Sequence, residues 1–321
     1  MKKPSRFSPH LRHFQHLARR LNRMLAAGTF ARLPEKSQAR LLNRLQQLYA
    51  ALRPAVSTRR LKRALAGAAM LLGIGGAAQA QNPNFLAPVT NPFGLSSNVY
   101  YSGPCFVDLD ADGDMDLLST EAYGAFKYFM NVGTATAPQF SASMLNPFGL
   151  DSISTNSIGT LTVADMDADG DQDVFAGLLY GSILYYENTG TATTPNFAAP
   201  VAEPFGLDST YYLSLPEAAD LDGDGDFDLL IGEYYGRFQY FENVGTDSMP
   251  QFAAPVLNPF GIQSANYQGI PTLGDLDGDG DLDLMHVEGD GAFIYQENLG
   301  DSLNPIFGAT QTNAFMLDSL G

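Results

Sequence analysis

Beyond residue 81, short apolar runs alternate with clusters of Gly, Asn, Asp and Pro to the end of the chain. The runs are four to seven residues long and rich in β-branched and aromatic residues, a composition that favours β-strands. No part of this region places apolar residues at sustained helical spacing. The pattern therefore predicts an all-β fold for residues 81–321.

The pattern of runs returns every 55 to 57 residues. Each copy has an Asp-rich segment between two apolar runs, a Gly-containing turn, an aromatic strand, a Pro-x-Phe segment and a turn of the type NPFGL. Repeats of about 50 residues with roughly four strands are typical of propeller blades. We therefore predict a β-propeller of four blades of ~55 residues, with repeats at about 83–137, 138–194, 195–249 and 250–304 and a partial repeat at 305–321.

The Pro-x-Phe and NPFGL element occurs five times, whereas the Asp-rich segment occurs four times. The surplus copies lie at the two ends, at 82–97 and 304–319, and a four-bladed ring needs only one of them to close. The trailing copy has lost the Pro and the Gly of its turn, as expected of a terminal capping segment. The alternative is that the chain completes a larger ring by self-association through its terminal partial repeats.

Residues 1–63 form a basic leader with two amphipathic stretches. Helical faces are predicted for Leu11, Phe14, Leu17, Leu21 and Met24, and for Leu41, Leu45, Leu48 and Leu52. The uncharged apolar run 64–80 follows a cluster of basic residues and ends in Ala78-Gln79-Ala80. This pattern predicts a secretory signal cut near Ala80 and a secreted or cell-surface protein without a transmembrane span in the mature chain. The alternative is a membrane anchor at 64–80.

The distribution of charge also changes near residue 80. Sixteen of the 18 basic residues precede Ala80 beside one acid, whereas residues 81–321 hold 34 acids and two bases, so the net charges are +15 and −32. A body this acidic repels phosphate, which argues against nucleic acid and anionic membranes as partners. With one cysteine, Cys105, and one histidine, His286, the body has neither a disulfide scaffold nor the ligands of a typical zinc site.

Each Asp-rich segment has the form Asp-x-Asp-x-Asp-Gly-Asp-x-Asp. Carboxylates at positions 1, 3, 5 and 9, a main-chain oxygen at position 7 and a Gly at position 6 could wrap one Ca²⁺, which takes six to eight oxygen ligands. We predict four calcium ions, one per repeat. The predicted side-chain ligands are Asp108, Asp110, Asp112 and Asp116; Asp165, Asp167, Asp169 and Asp173; Asp220, Asp222, Asp224 and Asp228; and Asp275, Asp277, Asp279 and Asp283. Asp114, Asp171, Asp226 and Asp281 would contribute mainly main-chain oxygens.

An EF-hand fits less well, because position 12 lacks Glu and the loops lie between strand-like runs. The Asp-rich loop followed by segments such as YFENVGT resembles the FG-GAP/VCBS repeats of bacterial secreted and surface proteins, akin to the calcium-binding blades of integrin α-subunits. The resemblance covers about residues 83–319. It implies a propeller with calcium between the first two strands of each blade, an extracellular location, and roles in adhesion or carbohydrate binding.

Two functions remain open from the sequence. The first is a calcium-binding module that binds carbohydrate or a surface protein through variable loops, with Tyr100, Tyr101, Tyr211, Tyr212 and Tyr267 either contacting the ligand or packing between blades. Tyr128, Tyr185, Tyr240 and Tyr295 recur in register and are predicted core residues. The second is a polysaccharide lyase or glycosidase on the same scaffold, with Glu121, Glu203, Glu217, Glu233 and Glu288 as the only spare carboxylates. No convincing catalytic set can be assembled, so we predict a protein that is not an enzyme.

Overall fold

The computed structural model describes residues 8–26, 30–32, 35–52, 85, 87–96, 102–121, 123–152, 160–246 and 248–317. Two compact units are distinguished, one containing the helices and one containing the sheets. The predicted signal region 64–80, its cleavage point, and Tyr100 and Tyr101 lie outside the described residues.

The helical unit consists of α1 (Ser8–Ala26) and α2 (Glu35–Leu52), with a single 3₁₀ turn at Phe30–Arg32 between them. The apolar faces predicted from the leader face each other. Their shared core contains Phe14, Leu21, Leu45, Leu48 and Leu52. Among the residues described, no helix is both long and apolar enough to cross a membrane.

The β unit is a four-bladed propeller, as the repeats predict, and each blade is an antiparallel sheet of four strands in chain order. Blade 1 contains β1 (Ser102–Val107), β2 (Asp116–Glu121), β3 (Phe126–Phe129) and β4 (Met144–Leu145). Blade 2 contains β5 (Leu161–Ala164), β6 (Asp173–Gly177), β7 (Ile183–Tyr186) and β8 (Val201–Ala202). Blade 3 contains β9 (Leu215–Ala219), β10 (Asp228–Gly232), β11 (Phe238–Phe241) and β12 (Val256–Leu257). Blade 4 contains β13 (Ile270–Gly274), β14 (Asp283–Val287), β15 (Phe293–Gln296) and β16 (Gln311–Thr312).

The core lies between adjacent blades rather than in one central cluster. Inner strands β1, β5, β9 and β13 contact one another in series. Between blades 1 and 2, the Phe126 ring meets the Tyr186 ring edge to face, with 5.4 Å between centroids. The second strands are buried on both faces, which is why they read as continuous apolar runs. The in-register tyrosines, including Tyr128 and Tyr240, are buried as predicted.

The NPFGL turns join the blades at their outer edges. In each turn the Phe has a left-handed backbone and its carbonyl accepts the N–H of the Phe that follows in the next repeat. The bonds run from Phe140 to Phe93, Phe197 to Phe148, Phe252 to Phe205 and Phe307 to Phe260. The glycine after each Phe permits this approach, since a Cβ on Gly149 would lie 2.7 Å from the Phe197 oxygen.

The fifth bond of this outer series closes it. The Phe85 N–H donates to the Phe315 carbonyl at 3.4 Å, so the first copy of the element follows the last. Strand β16 in the trailing copy pairs with β15 and completes blade 4. The structure therefore uses both terminal copies, whereas the sequence led us to expect that only one would be needed.

A second set of contacts joins the blades along their inner strands. The Thr162 hydroxyl accepts the Ala218 N–H at 3.0 Å, and a Glu217 carboxylate oxygen accepts the Leu273 N–H at 3.2 Å. Burial raises the pKa of Glu217 to about 7, although the hydrogen bonds that its carboxylate accepts from Leu273 and Thr272 partly oppose the shift. Polar residues at this repeat position therefore link one blade to the next.

His286 is buried in blade 4, with its ring 5.1 Å from the Phe238 ring of blade 3. Burial lowers the pKa of His286 from 6.5 to about 4, and the Glu288 carboxylate opposes this only in part. Because the folded-state value lies below the ordinary one, the unfolded chain takes up the proton first as the pH falls. The stabilisation from the neutral ring is therefore complete above about pH 6.5 and is lost between pH 6.5 and 4.

We predict that His286→Ile, which copies Ile231 at the same position of blade 3, removes this acid-sensitive step. Between pH 7.5 and 5, the parent should lose about 2 kcal/mol more free energy of unfolding than the variant. Urea unfolding of both proteins at the two pH values and one divalent-ion concentration measures the difference. Equal losses in the two proteins would contradict the buried, neutral state of His286.

Candidate metal centres and an aromatic surface

The four Asp-rich loops connect the first two strands of each blade, where the strand pattern predicts them. Within each loop, the carboxylates at positions 1, 3 and 5 place one oxygen each within 4.8 Å of the others. These groups are Asp108, Asp110 and Asp112; Asp165, Asp167 and Asp169; Asp220, Asp222 and Asp224; and Asp275, Asp277 and Asp279. The glycine at position 6 has a positive φ in every loop, 98° at Gly113 and 118° at Gly225, as the sharp turn requires. Each loop could hold a metal ion.

Local hydrogen bonds hold the loops in this shape. In the second loop, the Asp167 carboxylate accepts the Asp169 N–H at 3.2 Å, and the Asp169 carboxylate accepts the Asp171 N–H at 3.1 Å. The position 3 to position 5 bond recurs in the other three loops, at 3.3 Å, 3.1 Å and 3.0 Å. These side-chain turns fix the carboxylates before any ion arrives, because the short Asp side chain bonds a backbone N–H two residues ahead.

The described part of the sheets holds only two basic residues, and each pairs with a glutamate outside the loops. The two bases there are Lys127, which pairs with Glu121, and Arg237, which pairs with Glu233. Burial raises the pKa of Asp171 to about 6, and the charges of the three loop carboxylates before it add to the shift. Burial also raises the pKa of Asp110, with a contribution from Asp116 and Asp112. A bound cation would relieve this repulsion.

The carboxylate at position 9 has a different environment. Asp173 is almost completely buried, and its Oδ2 accepts the Met166 N–H at 3.2 Å and the Tyr185 hydroxyl at 2.9 Å. Its Oδ1 accepts the Asn188 N–H at 2.8 Å. Asp116 and Asp228 make the same three bonds, and Asp283 makes the two backbone bonds. These donors make position 9 a junction that joins the loop to the segment after the third strand of each blade and, in blades 1 to 3, to the third strand itself. The junction does not depend on a bound ion.

The carboxylate at position 7 has a feature that sequence reasoning missed. Asp114 and Asp171 are only 9% and 5% exposed, and Oδ1 of each is buried without a hydrogen-bond partner among the described residues. The charges of positions 1, 3 and 5 raise the pKa of both groups, in addition to burial, so these side chains lie near the cluster. The side chain at position 7 is therefore a candidate ligand besides the predicted main-chain oxygen. The alternation of Asp along the loop was the available signal.

Six tyrosines form a continuous group at the opposite ends of the same strands, on blades 2 to 4. Tyr211, Tyr212 and Tyr267, three of the predicted ligand candidates, contact three tyrosines of the turns that follow the second strands. Ring centroids are 6.1 Å apart for Tyr180–Tyr212, 5.1 Å for Tyr212–Tyr234, 4.6 Å for Tyr234–Tyr267, 5.2 Å for Tyr234–Tyr235 and 5.8 Å for Tyr211–Tyr235. Tyr211 is 73% exposed and Tyr180 70%. We call these six residues the tyrosine surface.

The repeats decide the family. The FG-GAP-like repeat model matches residues 108–176, 165–231 and 220–286, which together span more than half of the 321-residue chain. The chain belongs to the FG-GAP-like repeat family. No curated protein sequence matches it.

Several solved structures resemble the FG-GAP propeller distantly. One is an Agrocybe aegerita lectin described as recognising non-reducing terminal N-acetylglucosamine, at 20% identity and a TM-score of 0.41, covering 67% of this chain and 53% of the lectin. Another is the Photorhabdus luminescens Tc holotoxin pore, at 15% identity and 0.35, covering 61% of this chain and 10% of that one. Sqt1 from Chaetomium thermophilum matches at 9% identity and 0.33, covering 61% and 45%. The matched regions thus span about half of these proteins or less.

Four of the five spare carboxylates of the FG-GAP propeller, all except Glu203, are engaged in structural contacts. Glu233 is fully buried and accepts hydrogen bonds from Arg237 and Gln239, and Glu288 accepts both the backbone and side-chain N–H of Asn266. Burial and the charge of Glu217 raise the pKa of Cys105 to about 12, which suppresses the nucleophilic thiolate. The family match indicates no catalytic family, and the fold fits a non-enzymatic binding module.

We predict opposite behaviour for two substitutions in the second loop. Asp167→Asn removes one charge of the cluster, so at pH 8 it should lower the number of bound divalent ions by about one without destabilising the chelated protein. Asp173→Asn should destabilise even the chelated protein by about 1–3 kcal/mol. The amide N–H₂ of the new side chain would face N–H and O–H groups that now donate hydrogen bonds to the Asp173 carboxylate, so at least one of those donors would lose its acceptor. Thermal unfolding with and without chelator, and metal analysis of the purified proteins, measure both effects.

The parent protein measured in the same buffers is the control. If the two variants unfold alike in chelator, position 9 is not the junction that its hydrogen bonds indicate.

Proposed function

We propose that this FG-GAP propeller is a secreted, calcium-stabilised binding module that binds neutral carbohydrate on the tyrosine surface. Secretion is supported by the signal-like run 64–80, with its basic flank and Ala-Gln-Ala end. The observation that carries the ligand proposal is the group of six adjoining tyrosines, several of them strongly exposed.

The tyrosine surface suits a sugar for two reasons. Its rings hold one another edge to face, with interplanar angles of 84° for Tyr212–Tyr234 and 76° for Tyr234–Tyr267, so little side-chain entropy is lost on binding. Phenol rings offer apolar faces to the C–H face of a sugar and hydroxyls to its rim. Two charged residues next to Tyr234 and Tyr235, Glu233 and Arg237, form an ion pair with each other.

The charge of the propeller favours a neutral glycan over an anionic one. Residues 81–321 carry a net charge of −32, and four calcium ions would reduce this only to −24. A polyanionic chain would meet repulsion over most of the surface, and the two basic side chains are already paired. Neutral polysaccharides avoid this cost.

Calcium fits the loops better than magnesium. The donors are carboxylate and main-chain oxygens, the ligand set that Ca²⁺ accepts in variable geometry with six to eight ligands, whereas Mg²⁺ demands octahedral geometry and retains water. The loops lie at one end of each second strand and the tyrosine surface lies at the other. We therefore assign calcium a structural role in the blades and give it no contact with the ligand.

We predict that calcium raises the melting temperature of the full chain and that excess EGTA lowers it. Each site at a hundredfold excess over its dissociation constant adds about 2.7 kcal/mol to the free energy of unfolding. Differential scanning calorimetry in calcium, in magnesium and in EGTA measures the effect, and magnesium should stabilise less. An unchanged melting temperature in EGTA would refute the calcium assignment without touching the fold.

We predict that Tyr211→Ala combined with Tyr235→Ala weakens binding to a retained neutral polysaccharide by about tenfold or more, because two exposed stacking surfaces are lost. A glycan array identifies the polysaccharide, and affinity electrophoresis in calcium then measures the change. Tyr123→Ala is the matched control, since Tyr123 lies in the same turn of blade 1, is 65% exposed, and stands outside the tyrosine surface.

Three outcomes would count against this function. They are retention of no neutral glycan, an equal loss in the Tyr123→Ala control, and turnover of the retained glycan. The last of these would establish the enzymatic alternative instead.

A further inference from the structure

The outer series of hydrogen bonds has five positions, and only four of them hold complete sheets. Four Phe-to-Phe bonds link each blade or the leading element to the next blade, and the bond from Phe85 to Phe315 closes the series. The element containing Phe85 and residues 87–95 thus lies between blade 4 and blade 1. It supplies the outermost part of a blade, which leaves that position without described inner strands.

We call this position between blades 4 and 1, for which the structure describes no inner strands, the open position. Its first sign is at the innermost strand of blade 1. In blades 3 and 4, the N–H groups of Ala218 and Leu273 bond to side chains of the preceding blade. The corresponding residue of blade 1 is Phe106, which is 61% exposed. No described side chain takes the place that Thr162 or Glu217 has at the other interfaces.

The open position is also visible at the outer edge. In blade 1, β3 pairs with β4 through Lys127 opposite Leu145 and Tyr128 opposite Met144, and the Asn146 Oδ1 accepts the Phe126 N–H at 3.0 Å. Val89, Thr90 and Asn91 occupy the same places in the leading element. Among the described residues no strand pairs with Val89–Thr90, and Val89 is 72% exposed.

A cavity of about 220 Å³ adjoins this edge. Its walls are uncharged and include Asn91, Leu95, Pro104, Leu117, Ser119 and Phe129. At the next interface, the equivalent face of blade 2 packs against Phe126 and Tyr128, which belong to the third strand of blade 1. The cavity therefore lies where side chains of a third strand pack at the complete interfaces.

We propose that this open blade position binds an extended peptide segment of another polypeptide, which pairs with Val89–Thr90 as a third strand. The propeller's own third strands define the chemistry of the segment: FKYF, ILYY, FQYF and FIYQ each place large apolar residues at alternate positions. Backbone groups of the segment would pair with the exposed edge and with the Asn91 amide, and its aromatic side chains would fill the uncharged cavity. This proposal is independent of carbohydrate binding.

The probe is a fluorescent peptide with the sequence of residues 236–243, GRFQYFEN, which contains β11 and has no net charge. Fluorescence anisotropy with the full chain in calcium should give saturable binding, and a scrambled peptide of the same composition should not bind. Asn91→Gly keeps the left-handed backbone and removes the amide, and should weaken binding about fivefold, the loss of one hydrogen bond. Phe106→Gln tests the inner rim and should weaken binding by a similar factor.

The matched control is Val256→Gln, which changes an exposed residue of the outer strand of blade 3. Circular dichroism and melting temperature establish that each variant is folded, and Asn91→Gly has a precedent in Glu203, which keeps the same turn without an amide. The proposal is overturned if the native and scrambled peptides bind alike, or if the native peptide does not bind. It is also overturned if Asn91→Gly and Phe106→Gln bind like the parent. A parent dimer that both substitutions dissociate, seen by sedimentation, would assign the position to a second copy of the chain instead.

Discussion

The buried carboxylate at position 9 of each Asp-rich loop connects the candidate metal site to the rest of the blade. In blade 3, Asp228 accepts the Leu221 N–H at 3.1 Å, the Tyr240 hydroxyl at 2.9 Å and the Asn243 N–H at 2.8 Å. The Asn243 amide oxygen in turn accepts the Gln251 N–H, one residue before the Phe252 that bonds to the preceding repeat. Burial raises the pKa of Asp228 to about 6, so the junction carries an electrostatic cost. The three donors offset that cost, and loss of any one would loosen the loop, the third strand and the link between blades together.

The repeat, the blade and the loop could be predicted from the sequence, because each depends on a local residue pattern that occurs four times. The apolar runs locate the second strands, and the Asp-Gly spacing locates the turns whose glycines take positive φ. The metal ligation of position 9 stays a prediction, and its bonds to Tyr185, twelve residues later, and to Asn188 could not be predicted from the spacing within the loop. Likewise the sequence shows Tyr180, Tyr234 and Tyr235 only in or beside Gly-containing turns, and the approach of two linkers brings this group beside Tyr212 and Tyr267.

The chain has five outer elements but four Asp-rich segments, and the structure uses all five outer elements, so neither terminal copy is redundant. The trailing element completes blade 4, and the leading element joins blade 4 to blade 1. The leading element meets the described blades through the backbone hydrogen bonds of Phe85 and Phe93 and a few apolar contacts, such as Leu95 against the cluster that contains Leu117 and Phe129. An interface that lacks inner strands buries less apolar surface than its neighbours, so this position is expected to be the least stable part of the ring.

The two candidate functional features lie at opposite ends of the second strands, and this separation constrains how they can be coupled. Strand β10 runs from Asp228 at the loop to Gly232 beside the tyrosine surface, about 13 Å at 3.3 Å per residue. An ion held by the loop therefore cannot touch a ligand on Tyr234 or Tyr235, and any effect of calcium on binding must pass through the blade. Because β10 is buried along its whole length and fixed by Asp228, a bound ion would affect the tyrosine surface by stabilising the folded blade and not by direct electrostatic contact with the ligand. Ligand affinity should accordingly depend on calcium only over the range in which calcium changes the folded fraction of the propeller.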